Sequence, residues 1–255
     1  MTSELKYDIS VCVDTQDLAC EAYEPAGWPG GLRAQVLRRL ESDGSIRAAV
    51  IDIPAGWSSA TPSAGQADEQ AYLLRGDLQV GGNRFTAGAF TFYPAGGARG
   101  TVSTEAGARL IAILGGAQSY APAEAGGVPV GAVEHADAMA VPAFEPEIDG
   151  RKTGTNRRVL WEDLATGADT RLLQVGAGFE GRGANWHPVH EEIYCLAGDI
   201  GPDDTRLMKP GYYLHNPAYG IHGFHEHSVG GATILEWHDG KWSFNLCDES
   251  EGDKA

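Results

Sequence analysis

The sequence has little of what marks several classes of protein. Its 255 residues include only four cysteines, none in a CxxC pair, which is too few for a disulfide scaffold and favours a reducing compartment. No stretch approaches the roughly 18 apolar residues of a membrane span, and the N-terminus lacks the basic start and apolar run of a signal peptide. The sequence therefore predicts a cytoplasmic protein without a membrane partner.

Basic residues are also scarce. Nineteen Lys and Arg stand against 35 Asp and Glu, which gives a formal net charge of −16. This excess argues against a protein that follows nucleic-acid phosphates or is held on an anionic membrane by charge. We therefore expect a small molecule as the partner, and no nucleic acid.

Glycine and proline, by contrast, are abundant. The 35 glycines and 13 prolines are too many for a helix bundle and are typical of short strands joined by tight turns. Runs rich in Val, Ile, Leu and Tyr, bounded by Gly or Pro, predict strands at 46–53, 70–74, 90–93, 109–114, 171–175, 192–196, 212–215 and 233–237. Without helical periodicity between them, these strands indicate an all-β sandwich or barrel.

The second half of the chain repeats the first at a spacing of 122 to 123 residues. The repeated pairs include Glu69 and Glu191, Tyr72 and Tyr194, Gly76 and Gly198, Gly88 and Gly211, and Pro94 and Pro217. The repeat predicts two homologous domains, 1–122 and 158–247. An Ala-, Gly- and Pro-rich linker, 123–157, joins them, and an acidic tail, 248–255, follows.

Histidines cluster in the second half. Seven of the eight lie between His187 and His238, around the two segments 181–198 and 211–222. Imidazoles and a carboxylate that enter one cavity from neighbouring antiparallel strands form a divalent metal site with open positions. The clustering therefore predicts such a site in the second domain.

These two segments resemble the two motifs of the cupin superfamily, and the repeat is similar to that of a bicupin. In the first motif a Glu precedes a Gly by seven positions, as Glu191 precedes Gly198. Gly211, Pro217 and His222 match the second motif. The resemblance implies an all-β fold of two tandem cupin barrels, each a double-stranded β-helix or jelly roll.

The histidines of the first motif can be aligned in two ways. The family usually has His-x-His before the Glu; counting back from Glu191 makes His187 the second histidine and puts Asn185 in place of the first. Counting forward from Gly181 makes His187 the first and His190 a shifted second. Period-2 alternation places Asn185 and His187 on one strand face. The predicted metal ligands are His187, Glu191 and His222, with His190 as a fourth and Asn185 or Glu192 in reserve.

The first domain lacks these imidazoles. Arg99 occupies the position of His222, and of the ligand set only Glu69 is kept. We therefore predict a first domain that binds no transition metal, with Glu69 paired to Arg99 across the vacated pocket. One metal ion per chain follows.

Other residues near the motifs are interpreted more simply. Tyr213 and Tyr219 are candidate pocket residues, whereas His215 and His238 are expected to be wall or surface residues. A GxGxxG match at 176–181 precedes Trp, His and Pro rather than a helix, so it is not a dinucleotide site.

A mixed imidazole and carboxylate set suits Fe(II) first, then Mn(II), Ni(II) or Zn(II). The resemblance implies an enzyme, a dioxygenase that acts on a small chelating organic substrate such as an organic acid, phenol or diketone, and it also implies a homodimer. A non-oxidative metal-dependent isomerase, cyclase or lyase is the alternative among enzymes. A ligand-binding or sensor protein without catalysis is the alternative outside them.

Overall fold

The computed structural model describes residues 5, 10–124, 126–148 and 150–247. The predicted acidic tail, 248–255, lies outside the described residues. The chain is all-β, and two compact units divide it: unit N, Leu18–Ala140, and unit C, the described residues up to Asp17 and from Val141 onward. No helix among the described residues is long and apolar enough to span a membrane.

Unit C opens with one strand from the start of the chain, and unit N follows it. The strands up to residue 140 are β1 (Val11–Asp14), β2 (Cys20–Tyr23), β3 (Leu32–Arg39), β4 (Ile46–Ile53), β5 (Ser63–Gly65), β6 (Glu69–Val80), β7 (Asn83–Thr86), β8 (Phe90–Tyr93), β9 (Ala98–Arg99), β10 (Val102–Ser103), β11 (Ala108–Leu114), β12 (Tyr120–Pro122) and β13 (Val133–His135). Short 3-10 helices cover Thr15–Asp17 and Ala138–Ala140.

The rest of unit C follows the same pattern of short strands. They are β14 (Glu147–Ile148), β15 (Arg151–Lys152), β16 (Thr155–Glu162), β17 (Asp169–Val175), β18 (Phe179–Glu180), β19 (Asn185–Trp186), β20 (Glu191–Gly198), β21 (Tyr212–Asn216), β22 (His227–Ser228), β23 (Ala232–His238) and β24 (Asn245–Leu246).

The main sheet of unit N has the order β13-β8-β6-β11-β4-β3-β2, with β7 and β10 also paired to β6, and a smaller sheet has the order β12-β5-β9. Alternate residues of the strands enter one apolar core, which includes Leu32, Ile51, Leu73, Phe85 and Leu110. The period of two between inward-facing residues is what the short Val, Ile and Leu runs predict.

The main sheet of unit C has the order β1-β21-β20-β23-β17-β16. Three two-stranded sheets, β14-β15, β18-β22 and β19-β24, accompany it. On β20, Ile193 and Cys195 point into a buried cluster with Leu173, Leu214 and Ile234. Glu191 precedes them by two residues on the same strand, so the pleat directs its carboxylate to the same side. A polar group thus stands at the end of an apolar core.

Two repeated glycines occupy the same local geometry in the two units. Gly76 and Gly198 have φ of +79° and +76°, and a Cβ there would lie 2.0 Å from the carbonyl oxygen of Gly107 and 1.9 Å from that of Gly231, respectively. The Cβ of any other residue would collide with this backbone oxygen, which cannot move aside as the end of a flexible side chain can. The repeat in sequence is therefore a repeat of a close backbone crossing.

All eight predicted strands lie within observed strands, and the all-β prediction is confirmed. The greatest difference is β6, predicted to end at Leu74 because Gly76 reads as a turn. Gly76 instead pairs with Ala108 inside the strand, the register shift against β11 falls at Leu74, and β6 continues and pairs with β7 from Asp77 to Val80. A positive-φ glycine can bend a strand without ending it.

The domain boundaries predicted from the sequence also differ from those of the two observed units. β1, predicted to be part of the first domain, pairs with β21 from Val11 opposite His215 to Asp14 opposite Tyr212, so it belongs to unit C. The predicted linker 123–157 contains β13, which pairs with β8 in unit N, and β14 and β15 in unit C. Ladder hydrogen bonds order these short polar strands, whose sequences carry no strand pattern of their own.

Candidate metal centre

Three predicted ligands meet in unit C. His187 Nε2 lies 3.3 Å from Glu191 Oε1, His222 Nε2 lies 3.2 Å from Glu191 Oε2, and the two Nε2 atoms lie 3.1 Å apart. Donors bound to a first-row divalent ion at about 2.1 Å are separated by roughly 3.0–3.4 Å in octahedral or tetrahedral geometry. The three side chains therefore have the spacing of a metal ligand set.

Two loops and one strand bring the donors together. Glu191 is the first residue of β20, where it pairs with Asn216 of β21 on one side and His238 of β23 on the other. His222 follows β21 and forms an antiparallel bridge with Asn185, through N–H···O bonds of 2.8 and 2.9 Å. His187 lies two residues after Asn185, so this bridge joins the loops that carry both imidazoles.

Backbone carbonyls orient both imidazoles. His187 Nδ1 lies 2.7 Å from the Ser243 carbonyl oxygen, and His222 Nδ1 lies 3.0 Å from that of Gly220. A carbonyl oxygen only accepts, so each Nδ1 carries a hydrogen, and each Nε2 offers a lone pair to a metal when its imidazole is neutral. A metal ion between them would satisfy both lone pairs, which is the arrangement that outer hydrogen bonds create around metal-bound histidine.

Asn185, at the position of the family's first histidine, supports the same interpretation. Its Nδ2 donates to the Gly183 carbonyl oxygen at 3.1 Å, whereas its Oδ1 is buried and has no hydrogen-bond partner among the described residues. A buried, unsatisfied amide oxygen costs free energy. Asn185 lines the same cavity as the three ligands, and an ion or a water molecule bound to Oδ1 would satisfy it.

A second charged group lies behind Glu191. His238 Nε2 is 3.4 Å from Glu191 Oε1 and 3.4 Å from Glu236 Oε1, and its Nδ1 is 2.7 Å from Asp169 Oδ1. Burial opposes a charge on His238, but the hydrogen bonds to these three carboxylates outweigh it and raise its pKa to about 10. A protonated imidazole has no lone pair for a metal, so His238 positions Glu191 as a donor.

The centre keeps Glu191 ionised. Burial alone would raise the pKa of its carboxyl, but the charge and hydrogen bond of His187, with further bonds from His222 and His238, hold it well below its usual range. Asn216 Nδ2 also donates to Glu191 Oε2 at 2.8 Å. An ionised, firmly oriented carboxylate is the form that binds a divalent cation.

His190 lies outside this group, which corrects the expectation of a fourth ligand. Its Nδ1 is 2.8 Å from His215 Nε2, the two rings stack at 5.1 Å, and its backbone N–H donates to Asp239 Oδ1. Because His190 directly precedes Glu191, its side chain leaves the backbone on the opposite side. Glu192 directly follows Glu191, so its side chain also points away from the ligand group, and it accepts a hydrogen bond from Tyr213 at 2.6 Å.

The two tyrosines expected in the pocket do not line it, which corrects that expectation too. The hydroxyl of Tyr213 is buried against Glu192 on the other face of the sheet. Tyr219, with φ of +63°, stacks on Trp186 at 5.6 Å and donates its backbone N–H to the His187 carbonyl oxygen at 2.7 Å. Its backbone therefore positions a ligand, while its ring points elsewhere.

A cavity of about 540 Å³ opens onto the ligand set. Its aromatic lining consists of Phe179, Phe224, Trp242 and Phe244. Glu226 also lines the cavity, and burial, together with the negative charge of Glu191, raises the pKa of its carboxyl to about 7. The volume and walls suit a small organic molecule, with one carboxyl able to gain or lose a proton near neutrality.

Sequence reasoning placed His238 on the wall or surface, but it is fully buried behind the centre. A usable signal existed: Glu236 and His238 alternate with apolar residues at the end of a predicted strand, so both face the same side as Ile234. Two charged residues on the core face of a strand predict partners there. The partners, Asp169 and Arg171, lie on β17 directly opposite.

In unit N the predicted pairing is confirmed. Arg99 Nη1 and Nη2 donate to Glu69 Oε1 and Oε2 at 2.8 and 3.1 Å, and Tyr120 and Gln118 donate to the same carboxylate. The guanidinium also lies 5.0–5.1 Å from the ring centroids of Trp28, Tyr93 and Tyr120. The cavity beside the pair has a volume of about 40 Å³, so side chains fill this interior.

Comparisons with known proteins identify a family and a fold. The model of one family, described as a domain of unknown function (DUF4437), matches residues 38–245. No curated protein matches the sequence.

Solved structures of similar fold include three cupin-fold proteins. A "putative dioxygenase" from Nostoc punctiforme has a TM-score of 0.77 at 18% identity, covering 91% of this chain and 83% of its own. A "putative glyoxylate induced protein" from Pseudomonas aeruginosa has 0.65 at 14%, covering 98% and 96%. Oxalate decarboxylase from Bacillus subtilis has 0.58 at 14%, covering 96% and 79%. At these identities the likeness establishes the cupin-like fold alone.

Proposed function

This chain belongs to the DUF4437 family, and from its metal centre we propose that it is a metal-dependent enzyme, a dioxygenase that acts on a small chelating organic substrate. One observation carries the proposal: three donors, His187, Glu191 and His222, stand at metal-ligand spacing at the edge of a cavity of about 540 Å³. Three protein donors leave positions for substrate on an ion that takes four to six ligands.

Fe(II) is the favoured ion, because a two-imidazole, one-carboxylate set with open positions suits it, and Mn(II), Ni(II) and Zn(II) use the same donors. When bound, Fe(II) would supply the one-electron chemistry by which O2 reacts with a chelated organic molecule. In the overall reaction a carbon–carbon bond of the substrate breaks and both atoms of O2 enter the products. O2 is thus the only oxidant, and no external reductant is needed.

The chain's own residues prepare the site. His238 and Asn216 hold the Glu191 carboxylate in position, and the Ser243 and Gly220 carbonyls fix the imidazole rings. Around the cavity, the aromatic side chains contact the organic part of a substrate and exclude water, which strengthens the electrostatic interactions inside.

A second candidate function rests on Glu226. A carboxyl whose pKa lies near 7 can protonate a carbanion or enolate and take the proton back, which is what a non-oxidative isomerase, cyclase or lyase requires. In that case the ion would act only as a Lewis acid. A ligand-binding or sensor protein without turnover is the remaining alternative.

We further propose that the chain is a bicupin, with a degenerate N-terminal domain and a metal-binding C-terminal domain. The repeated residues and the equivalent glycine crossings at Gly76 and Gly198 support a duplication. So does the matching strand order, β8-β6-β11-β4-β3 in unit N and β21-β20-β23-β17-β16 in unit C. A homodimer and a cytoplasmic location stay predictions of the sequence.

Oxygen uptake tests the proposed function. Protein loaded anaerobically with Fe(II) is mixed with catechols, 2-oxo acids and β-diketones, and O2 consumption and product are measured together. A dioxygenase consumes one O2 per product formed, and His222→Ala abolishes this. Turnover of a substrate without O2 would support the non-oxidative enzyme instead, and tight binding without turnover would support the binding protein.

A further inference from the structure

Arg157 is a largely buried cation that forms no ion pair with the described residues. It lies on β16 and its side chain lines the cavity, with the guanidinium 4.8 Å from the centroid of the Trp242 ring. Its Nε is buried and has no hydrogen-bond partner among the described residues, and the carboxylates of Glu236, Glu191 and Asp169 act on the guanidinium only through their charge. Burial lowers the pKa of this guanidinium, which nevertheless stays protonated at neutral pH.

Neighbouring arginines differ in this respect. Arg158, the next residue, donates to Gln174 Oε1 at 2.5 Å, and Arg182 donates to the Ile148 carbonyl oxygen at 3.2 and 3.3 Å. Arg171 pairs with Asp169 at 2.8 Å. An unpaired buried charge is costly to the folded state, because lost hydration is not replaced. Arg157 has no such pair among the described residues, and we expect a ligand in the cavity that it lines to supply one.

The charges around the cavity favour an anion as that partner. Apart from Glu226, the buried charged groups that the structure describes beside the centre are three cations and three carboxylates, namely Arg157, Arg171, His238, Asp169, Glu191 and Glu236. They balance, so a divalent ion would give this region two surplus positive charges. Glu226, with a pKa near 7, offsets at most one of them at neutral pH.

The guanidinium is also close to the metal donors. The Trp242 ring lies 4.8 Å from the Arg157 guanidinium and 4.8 Å from the His187 ring, and its Nε1 donates to Glu191 Oε1 at 3.4 Å. Arg157, His187 and Glu191 thus all contact the same indole. Arg157 and the three ligands line one cavity, so a single bound molecule could contact both.

We propose that Arg157 binds a carboxylate of the substrate, so that the chain acts on organic acids rather than on neutral phenols or diketones. The planar guanidinium offers two parallel N–H donors to the two oxygens of a carboxylate, and the flat Trp242 ring supports its other face. The inference rests on the proposed function in one respect, that this cavity is the substrate site.

Binding of a matched pair of probes tests the inference. Salicylate and salicylamide share a ring and a hydroxyl and differ in charge, and calorimetry on Zn(II)-loaded and on chelator-treated protein measures their affinities without turnover. We expect Arg157→Gln to weaken salicylate binding by about tenfold to a hundredfold and to leave salicylamide binding unchanged. Arg158→Gln, which removes the same charge from the adjacent position, is the matched control and keeps wild-type affinity for both probes.

If the Arg157→Gln protein does not fold, salicylate affinity is measured in Arg157→Leu and Arg157→Lys instead. The expected order of salicylate affinity is wild type, then lysine, then leucine, because lysine keeps the charge without the two-donor geometry. Equal salicylate affinity in wild type and the folded Arg157 variants would overturn the inference, even if metal retention is normal. Arg157-dependent salicylate binding in a protein that retains no metal would instead support the inference and remove the proposed function.

Discussion

Arg99 donates to both carboxylate oxygens of Glu69, at 2.8 and 3.1 Å, where the repeat places His222 and Glu191 in the other unit. The pair is almost fully enclosed, with side-chain exposures of 5% and 14%. A fixed guanidinium beside Glu69 repels a divalent cation and cannot lose its proton to relieve the conflict. The retained glutamate of unit N therefore has a structural partner in place of a metal.

This pairing predicts one metal ion per chain. Metal analysis of untagged protein should give a ratio of at most one, and Arg99→Ala should leave the ratio unchanged, because removing the cation restores no imidazole. The control, His222→Ala, should lose the ion. A ratio near two, or a full ion in the His222→Ala protein, would contradict the assignment of the centre to unit C.

The same pair predicts a pH dependence of stability. Burial alone would raise the pKa of Glu69, but the Arg99 charge and the hydrogen bonds from Arg99, Tyr120 and Gln118 outweigh it and lower the pKa. The folded state then binds fewer protons than the unfolded state, so this contribution is present above the ordinary glutamate pKa of about 4.3 and is lost as pH falls through the lower folded value.

Glu69→Gln removes the titrating group and tests this sign. Its free energy of unfolding, from urea titrations, should fall less steeply than that of wild type as pH decreases below about 4.3. Glu105→Gln, at an exposed turn, is the control and should follow wild type. A steeper fall in the Glu69→Gln protein would show that the folded-state pKa is raised instead.

The two possible alignments of the first motif are separated by metal retention. His187→Ala should abolish retention, because it removes one of three donors from the centre. His190→Ala should retain a full ion, because its ring is paired with His215 outside the ligand group. Equal loss in both variants would indicate that His190 is also a ligand, and equal retention would exclude His187.

The sequence predicts the features that depend on neighbouring residues and misses those that depend on contacts between strands far apart in the chain. Apolar runs set β4, β8 and β11 locally, and the motif spacing identifies three ligands because each lies at a fixed distance from a turn. His238 could not be placed in this way, since its partner Asp169 is 69 positions away and only the register of β17 against β23 joins them. β13 was hidden for a similar reason, because its pairing with β8 is a tertiary contact of a short polar segment.

His238 should be essential to the stability of unit C. His238→Asn removes one cation from among Asp169, Glu191 and Glu236 and leaves only the Arg171 guanidinium paired with Asp169 and Glu236, which costs about 3–5 kcal/mol. Chemical denaturation of metal-free protein measures the loss apart from any ion. His225→Asn is the matched control, because that side chain is 75% exposed, and it should change the free energy of unfolding little. An equally small effect of both substitutions would mean that His238 is neutral in the folded protein.

Metal removal should lower the melting temperature. An ion that binds only the folded state stabilises it by mass action, and at a free concentration one hundred times its dissociation constant this amounts to about 2.7 kcal/mol. For a chain of this size that free energy corresponds to a shift of roughly 5–10 °C. Scanning calorimetry before and after exhaustive chelation measures it, and the double variant His187→Ala with His222→Ala serves as the control. The double variant has lost both imidazole donors, so chelation should not shift its melting temperature; a shift as large as that of wild type would place the stabilising ion elsewhere in the chain.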